Sequence, residues 1–271
     1  MQISPLDAWT ASQIGLACSE ELSIAALRTC QLKRLKETLR HAVSNSPFYR
    51  ERLVGVPPCH SLDDLKELPF TTARDIVEQG LQMVAVSQGE IERVVTLQSS
   101  GTTGQPKRLY FTRLDLQRTQ DFFRCGMSQV LKSGDRVLVF LPGELPDSQG
   151  RLLAEALKVH GIDSDVYGLI KDPEDAAELL GKRAYNCVVG IPIQILSVVR
   201  QPAAVHPRGR IGSVFLTSDY VPSALVEEIA RTWGCPAFNH FGMTELGLTG
   251  GVECQALAGY HLREPDFFFE V

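Results

Sequence analysis

The sequence lacks the features that mark membrane-spanning and secreted proteins. No stretch approaches the roughly 18 apolar residues that a membrane span needs, and residues 1–9 do not join a basic start to an apolar core. The seven cysteines are odd in number, widely scattered and never spaced as Cys-x-x-Cys. This usage is typical of reduced thiols, because disulfide frameworks need paired cysteines. These absences predict a soluble cytoplasmic protein without a membrane partner.

A long block of charge of one sign is also missing. The chain has 27 Lys and Arg against 32 Asp and Glu, a net charge of −5, so it offers no basic footprint for nucleic acid. No internal repeat or low-complexity linker divides the chain. With 44% hydrophobic and 22% charged residues, a chain of 271 residues can bury a sizeable core. We therefore expect a globular protein without a nucleic-acid partner.

Hydrophobic periodicity predicts a helix and a hairpin in the first half of the chain. Residues 20–44 repeat apolar side chains at three- and four-residue spacing, which predicts an amphipathic helix. Residues 93–97 and 109–112 predict the two strands of a hairpin. Thr112 is expected to cap a helix that runs to about residue 131.

From residue 136 onward, strand patterns alternate with helix patterns. Short apolar runs predict buried strands, and longer amphipathic stretches predict helices. The predicted strands are residues 136–141, 165–167, 186–190 and 213–216, and the predicted helices are residues 149–160, 173–180, 193–200 and 223–233. This alternation predicts an α/β fold, with a mostly parallel sheet that carries helices on both faces.

A loop rich in glycine and hydroxyl residues follows the first predicted strand: Ser99-Ser100-Gly101-Thr102-Thr103-Gly104-Gln105-Pro106-Lys107. Its glycines let backbone amides approach an anion, its hydroxyls donate hydrogen bonds, and Lys107 brings a positive charge. An ordinary surface turn is the alternative. A Walker loop and a kinase-like enzyme are disfavoured, because Pro106 replaces the second glycine and Arg108 the hydroxyl. A Gly-x-Gly-x-x-Gly fingerprint is absent as well.

The loop closely resembles the Ser-Ser-Gly-Thr-Thr-Gly-x-Pro-Lys phosphate loop of the AMP-forming adenylating superfamily, which includes acyl-CoA synthetases, luciferases and peptide-synthetase adenylation domains. That family carries an aromatic-Gly-x-Thr-Glu motif downstream, and Phe241-Gly242-Met243-Thr244-Glu245 matches it. Taken alone, this second motif could be a strand end followed by a turn. Softer matches resemble the phenylacetate-CoA ligase-like branch, so that the likeness spans nearly the whole chain: Asn45-Ser46-Pro47-Phe48-Tyr49-Arg50, Leu68-Pro69-Phe70-Thr71-Thr72, Glu253-Cys254 and Gly259-Tyr260-His261.

The resemblance implies an acid:CoA ligase that uses ATP, Mg²⁺ and CoA. The carboxylate of an acid attacks the α-phosphate of ATP to give acyl-AMP and pyrophosphate, and the CoA thiol then displaces AMP. The implied catalytic residues are Lys107, Thr244 and Glu245, the last with Mg²⁺. The implied nucleotide-binding residues are Ser99, Ser100, Gly101, Thr102, Thr103, Gly104, Lys107, Ser218, Asp219, Asn239, Phe241, Gly242, Met243, Thr244 and Glu245. Thr217 and Tyr220 depart from the small residue and proline that the family usually has beside the adenine.

Two further groups of residues are open to more than one interpretation. The resemblance implies that Cys254 and His261 contribute to a structural zinc site, although the family's later Cys-x-Cys does not occur before Val271. A buried thiol and a surface imidazole are the alternative, because two ligands do not complete a tetrahedral site. His240 is expected to pack or to line the acyl pocket, since a carboxylate is already ionised at neutral pH and needs no general base.

The resemblance also predicts how the chain is organised. Residues 1–90 are expected to form a helical segment packed on the core, and residues 91–271 the ATP-binding α/β core of the family's large N-terminal domain. Too few residues follow Glu245 for the ribose-binding motif and the C-terminal lid domain, so we expect both to be absent and activity to be impaired. An aryl acid such as phenylacetate is the expected substrate. A non-catalytic nucleotide-binding module or assembly subunit is the alternative, and an exposed apolar face could make the chain a homo-oligomer.

Overall fold

The computed structural model describes residues 4–17, 20–97, 106–146, 148–205 and 210–270. In chain order, its helices and strands are α1 (Pro5–Gln13), α2 (Ile24–Asn45), α3 (Pro47–Arg52), α4 (Ala73–Met83), β1 (Ile91–Leu97), β2 (Lys107–Thr112), α5 (Arg113–Met127), β3 (Arg136–Phe140), α6 (Gln149–Lys158), β4 (Asp163–Val166), α7 (Pro173–Lys182), β5 (Cys187–Gly190), α8 (Pro192–Val199), β6 (Ser213–Leu216), α9 (Ser223–Trp233), β7 (Ala237–Phe241), β8 (Gly251–Glu253) and β9 (Tyr260–Leu262). Short 3₁₀ turns lie at Leu62–Glu67, Gln88–Glu90, Pro202–Val205 and Thr244–Leu246. Among the described helices, none is both long and apolar enough to cross a bilayer.

By their contacts, the residues group into two compact units. The sheet unit comprises Met1–Leu6 and Gln117–Arg263, and the N-terminal unit comprises Asp7–Leu116 and Glu264–Val271. The division of the chain into residues 1–90 and 91–271 stays a prediction.

A sheet with the strand order β4-β3-β5-β6-β7-β8-β9 forms the centre of the sheet unit. The pairs from β4 through β7 are parallel, and β8 and β9 continue the sheet in antiparallel pairing. β5 and β6 are buried at every position, which explains why they read as continuous apolar runs in the sequence. The predicted α/β fold with a mostly parallel sheet is confirmed.

Helices cover this sheet on two faces. From β3 the chain moves to β4 at one edge of the sheet, and from β4 it moves back past β3 to β5, β6 and β7 in the opposite direction. Because parallel crossovers are right-handed, this reversal places α6 on one face of the sheet and α7, α8 and α9 on the other. Successive residues of a strand point to opposite faces of the sheet, so every second residue faces the same layer of helices. Leu138 and Phe140 of β3 belong to the buried cluster of α7, α8 and α9, which also contains the fully buried ring of Trp233.

The N-terminal unit contains the predicted hairpin, which is confirmed. β1 and β2 pair antiparallel, with Leu97 opposite Lys107. The predicted start of the first long helix at residue 20 is wrong. Helix α2 begins at Ile24, because the side chain of Ser23 accepts a hydrogen bond from the Ala26 amide at 3.1 Å and so caps the helix.

The predicted cap of α5 is confirmed at Thr112. The amide of Thr112 donates to the carboxylate of Asp115 at 2.8 Å, and the Asp115 amide donates to the Thr112 hydroxyl at 3.2 Å. This reciprocal pair forms a capping box, which fixes where α5 begins after β2.

We expect Trp233→Ala to lower the free energy of unfolding by about 3–5 kcal/mol, because the ring is fully buried and its loss leaves a cavity. Val159→Ala is a matched control, since that side chain is 78% exposed and should change stability by no more than about 0.5 kcal/mol. Urea unfolding followed by circular dichroism measures both. Equal losses in the two variants would contradict the assignment of Trp233 to the core.

Candidate nucleotide and acid site

The carboxyl ends of β6 and β7 bring two of the implied nucleotide-binding segments together. The strands are parallel neighbours in which Leu216 pairs with Asn239, so Ser218 and Asp219 emerge beside residues 239–241. In open α/β sheets, ligands bind at this edge. Ser218 and Asp219 are exposed there.

Ser218 has the left-handed backbone conformation, with φ of 71°. A residue with a Cβ pays roughly 1–2 kcal/mol for this conformation. It turns the chain sharply after β6, and the next side chain, Asp219, accepts a hydrogen bond from the Tyr220 amide at 2.7 Å. The backbone of this segment is therefore held in one geometry at the sheet edge.

Asn239 has a buried side-chain oxygen without a protein partner in the described part of the chain. The backbone amide of Asn239 donates to the carboxylate of Glu253 at 2.8 Å, which anchors the backbone. The side-chain Oδ1, in contrast, accepts no hydrogen bond from the described residues. Buried acceptors are normally satisfied. The atom is thus suited to receive a donor from a bound ligand.

His240 is the next residue on β7 and its ring is held from two sides. Nδ1 lies 2.8 Å from the hydroxyl oxygen of Thr217, and the ring centroid lies 5.4 Å from that of Phe123. Burial lowers the pKa of His240 to about 4, so the ring is neutral at pH 7. Nε2 is buried and has no partner among the described residues.

His240 and Thr217 line an apolar cavity inside the sheet unit. Its volume is about 20 Å³, counted as the space open to the centre of a water molecule. The remaining walls come from α5, α6 and the neighbouring strands: Phe122, Phe123, Gly126, Met127, Leu141, Leu153, Val189, Phe215 and Val252. A cavity of this size holds a water-sized group, so a larger ligand must displace side chains to enter.

The Phe-Gly-Met-Thr-Glu motif forms a tight turn between β7 and β8. Phe241 ends β7, a 3₁₀ turn covers Thr244–Leu246, and the chain returns so that the Gly250 amide donates to the Phe241 carbonyl at 2.9 Å. A Cβ at Gly242 would collide with the carbonyl oxygen of Leu248. This close backbone approach requires glycine at the second position of the motif.

The side chains of the motif face outward from this turn. Phe241, Met243 and Glu245 are exposed, and Thr244 is half-buried. The ring of Phe241 lies 6.2 Å from that of Tyr260 between centroids and keeps 37% of its surface exposed. An exposed carboxylate and an exposed aromatic ring therefore share one edge of the sheet.

Two buried side chains that sequence reasoning missed hold the turn in place. The hydroxyl of Thr119 on α5 donates to the Gly247 carbonyl at 2.6 Å, and the Arg263 guanidinium donates to the Thr249 hydroxyl at 2.8 Å. Both residues are almost fully buried, at 1% and 3% exposed. No motif marks them, because each contacts the turn across more than ten residues of sequence.

The implied zinc ligands lie on and beside the hairpin of β8 and β9. His261 is on β9 opposite Val252, and Cys254 follows β8, where its sulfur accepts from the Ala256 amide at 3.4 Å. The described residues contain no group of three or more His, Cys, Asp and Glu side chains that could hold a metal. Zinc stays a prediction that rests on the resemblance.

The implied phosphate loop lies mostly outside the described residues. Ser99, Ser100, Gly101, Thr102, Thr103 and Gly104 lie outside the described residues. Lys107 is described, and it begins β2 in the N-terminal unit, half-buried and opposite Leu97. Two segments are thus brought together at the edge of the sheet unit, Ser218 with Asp219 and residues 239–245.

We expect Gly242→Ala to lower the free energy of unfolding by about 1–3 kcal/mol, because the new methyl group overpacks against Leu248. Gly181→Ala is the matched control. Open space surrounds Gly181 in α7, so alanine there should be neutral or stabilising by up to about 1 kcal/mol. Urea titration compares the two, and an unchanged stability of Gly242→Ala would refute the close approach.

Lowering the pH should destabilise the protein through His240. The unfolded chain takes up a proton near pH 6.5, whereas the folded chain does so only near pH 4, so stability falls between these values. From pH 7 to pH 5 we expect His240 to account for about 2 kcal/mol of loss. His240→Gln should lack this part of the decline in urea titrations, and an identical pH profile would contradict the neutral buried ring.

The chain matches curated proteins over part of its length, whereas no family model matches it. It is 40% identical over 102 residues to the phenylacetate-coenzyme A ligase of Pseudomonas putida, and 36% identical over 102 residues to that of Escherichia coli. The corresponding ligase of Thermus thermophilus is 37% identical over 103 residues. Each match covers 36% of this chain and 23% of the relative.

Solved structures match over most of the chain. A 2-hydroxyisobutyryl-CoA ligase in complex with 2-HIB-AMP and CoA has a TM-score of 0.77 in its thioesterification state and 0.76 in an open conformation, with 20% and 18% identity. Both matches cover 88% of this chain, which spans 54% and 55% of the matched chains. At these identities the likeness shows the fold alone. The chain thus resembles the phenylacetate-CoA ligase-like branch of the AMP-forming adenylating superfamily in sequence over about a third of its length, and it resembles a 2-hydroxyisobutyryl-CoA ligase in fold over most of its length.

Proposed function

We propose that this chain provides the nucleotide- and acid-binding part of an AMP-forming acid:CoA ligase. The carboxylate attacks the α-phosphate of ATP and releases pyrophosphate, and the sulfur of CoA then attacks the acyl carbon and releases AMP. The curated relatives support this reaction class by their names. Each match covers 23% of the relative's length.

The observation that carries the proposal is the meeting of two family segments at one sheet edge. The segment after β6 and the Phe-Gly-Met-Thr-Glu turn after β7 are distant in sequence, yet the parallel register makes their strands neighbours. The edge is the one at which α/β sheets bind ligands. A chance motif match would not require such a placement.

We assign the adenine to this edge. Oδ1 of Asn239 is buried and accepts no hydrogen bond from the described residues, so it suits the exocyclic amine of adenine, which is a donor. The exposed ring of Phe241 offers a stacking face, and Ser218 and Asp219 lie on the neighbouring strand end.

We assign the phosphates to the loop at residues 99–104, with Lys107 as its cation and Thr244 in the phosphate region. The exposed carboxylate of Glu245 suits Mg²⁺, which binds through one or two carboxylates and substrate phosphates. A bound Mg²⁺ supplies charge neutralisation at the phosphates. Lys107 and Glu245 act on charge that develops during transfer, which is the main requirement of phosphoryl chemistry.

We place the acid in the apolar cavity beside His240. Its walls are aromatic and aliphatic, which favours an aryl acid such as phenylacetate over a small polar acid. Because the cavity is small, the acid enters by displacing flexible side chains, of which Met127 is the most adaptable. The neutral His240 orients the acid through Nε2 and transfers no proton, since the carboxylate is already ionised.

Titration with AMP tests the assignment of adenine. We expect AMP to bind more tightly than GMP, because guanine carries a carbonyl oxygen where adenine carries the amine. Asn239→Ala should weaken AMP by about tenfold, whereas Glu227→Gln, an exposed change on α9, should leave it unchanged. Isothermal titration calorimetry measures all three proteins, and a failure of the unmodified chain to bind AMP would remove the proposal.

A pyrophosphate-release assay with ATP-Mg²⁺ then separates a ligase from a non-catalytic nucleotide-binding module. Release that depends on phenylacetate and exceeds release with acetate supports the aryl-acid ligase. AMP binding without release for any acid, even when a lid domain is supplied in trans, supports the module instead.

A further inference from the structure

A second cavity lies in the N-terminal unit, along helix α2. This α2 groove is bounded by α2 and by residues 53–68, and its volume is about 530 Å³. Cavities of 300–1,000 Å³ are typical of small-molecule sites. Each described residue that lines the α2 groove belongs to the N-terminal unit, and none of them is assigned to the proposed ligase site.

The walls of the α2 groove are aliphatic. Leu39 and Val43 project into it from one face of α2, one turn apart, and Leu53, Val56 and Leu68 line it from the following segment. Val43 keeps 39% of its surface exposed, although an apolar side chain in a concave surface gains from being covered. These walls suit an apolar chain.

Two cations stand at the rim of the α2 groove. Lys36 and Arg40 both line it and lie four residues apart on α2, so their charges repel each other. Neither forms an ion pair with a described residue; Arg40 Nε donates to the backbone carbonyl of Lys36 at 3.3 Å. An anion placed between them would relieve the repulsion and gain a charge-assisted hydrogen bond from the guanidinium.

The acid near this rim is already engaged. The carboxylate of Asp64 accepts hydrogen bonds from the amides of His60 and Ser61 at 2.7 and 2.9 Å. These bonds, that of Ser61 first, lower the pKa of Asp64 and keep it ionised within its own turn. The Asp64 carboxylate keeps its negative charge near the groove, but its hydrogen bonds go to these amides and it forms no ion pair with Lys36 or Arg40.

We propose that the α2 groove binds a free amphipathic carboxylate, with the carboxylate between Lys36 and Arg40 and the aliphatic chain along Leu39, Val43, Leu53 and Val56. The combination of aliphatic walls with an unpaired cationic rim selects this class over a neutral or cationic amphiphile. The site adds a binding function that is independent of nucleotide.

Methyl-detected NMR of leucine- and valine-labelled protein, titrated with sodium decanoate, tests the site. We expect saturable shifts at the methyl groups of Leu39, Val43, Leu53 and Val56, and weaker binding at high salt. Decyltrimethylammonium should cause no such shifts, and 1-decanol only weaker ones. Shifts confined to Leu141, Leu153 and Val189, which line the cavity of the sheet unit, would overturn the proposal.

Charge variants test the role of the rim. The double variant Lys36→Gln with Arg40→Gln should weaken decanoate by about five- to twentyfold, since each exposed charge contributes two- to fivefold. Lys33→Gln is the matched control, because Lys33 is exposed on the same helix outside the groove. Equal affinity of the double variant and the unmodified protein would overturn the proposal.

This result is distinguishable from the outcome for the ligase proposal. His240→Gln should leave the decanoate affinity unchanged, whereas the Lys36 and Arg40 variant should leave AMP binding unchanged. The methyl spectra of each variant also show directly whether it is folded.

Discussion

The parallel pairing of β6 with β7 is the interaction on which the candidate site depends. It sets Leu216 beside Asn239, and this single register places the ends of both strands at one edge. A shift of one strand by one residue would turn the side chains of that strand to the opposite face of the sheet. Burial on both faces of the sheet therefore stabilises the fold and fixes the positions of the site residues together.

Burial also determines where charge is available. In the interior of the sheet unit, desolvation lowers the pKa of His240 to about 4 and raises that of Cys187 to about 12, so both groups are neutral at pH 7. Burial likewise raises the pKa of Cys125 and Cys235 to about 11. By contrast, Glu245 lies outside this interior and is exposed.

The sequence predicted what local patterns control. An apolar run predicts the bounds of β6, and a helix pattern that ends at a glycine predicts those of α9. The cap at Thr112 involves a residue only three positions later in the chain. The predicted start of α2 at residue 20 was wrong because the helix is capped at Ser23, and hydrophobic periodicity alone does not locate a cap. Contacts between residues far apart in the chain could not be predicted from local patterns. The bond from Thr119 to Gly247 depends on how α5 packs, and the position of Arg263 depends on the pairing of β8 with β9.

The position of Thr119 on α5 has a mechanical consequence. Phe122 and Phe123 lie three and four residues after it, so all three side chains share one face of the helix. The rings line the apolar cavity, whereas the hydroxyl holds Gly247 at the end of the turn that carries Glu245. Helix α5 therefore contacts the apolar cavity through Phe122 and Phe123 and the turn through Thr119. A rotation of α5 that moves the two rings would therefore also move the hydroxyl that is bonded to Gly247, two residues from Glu245.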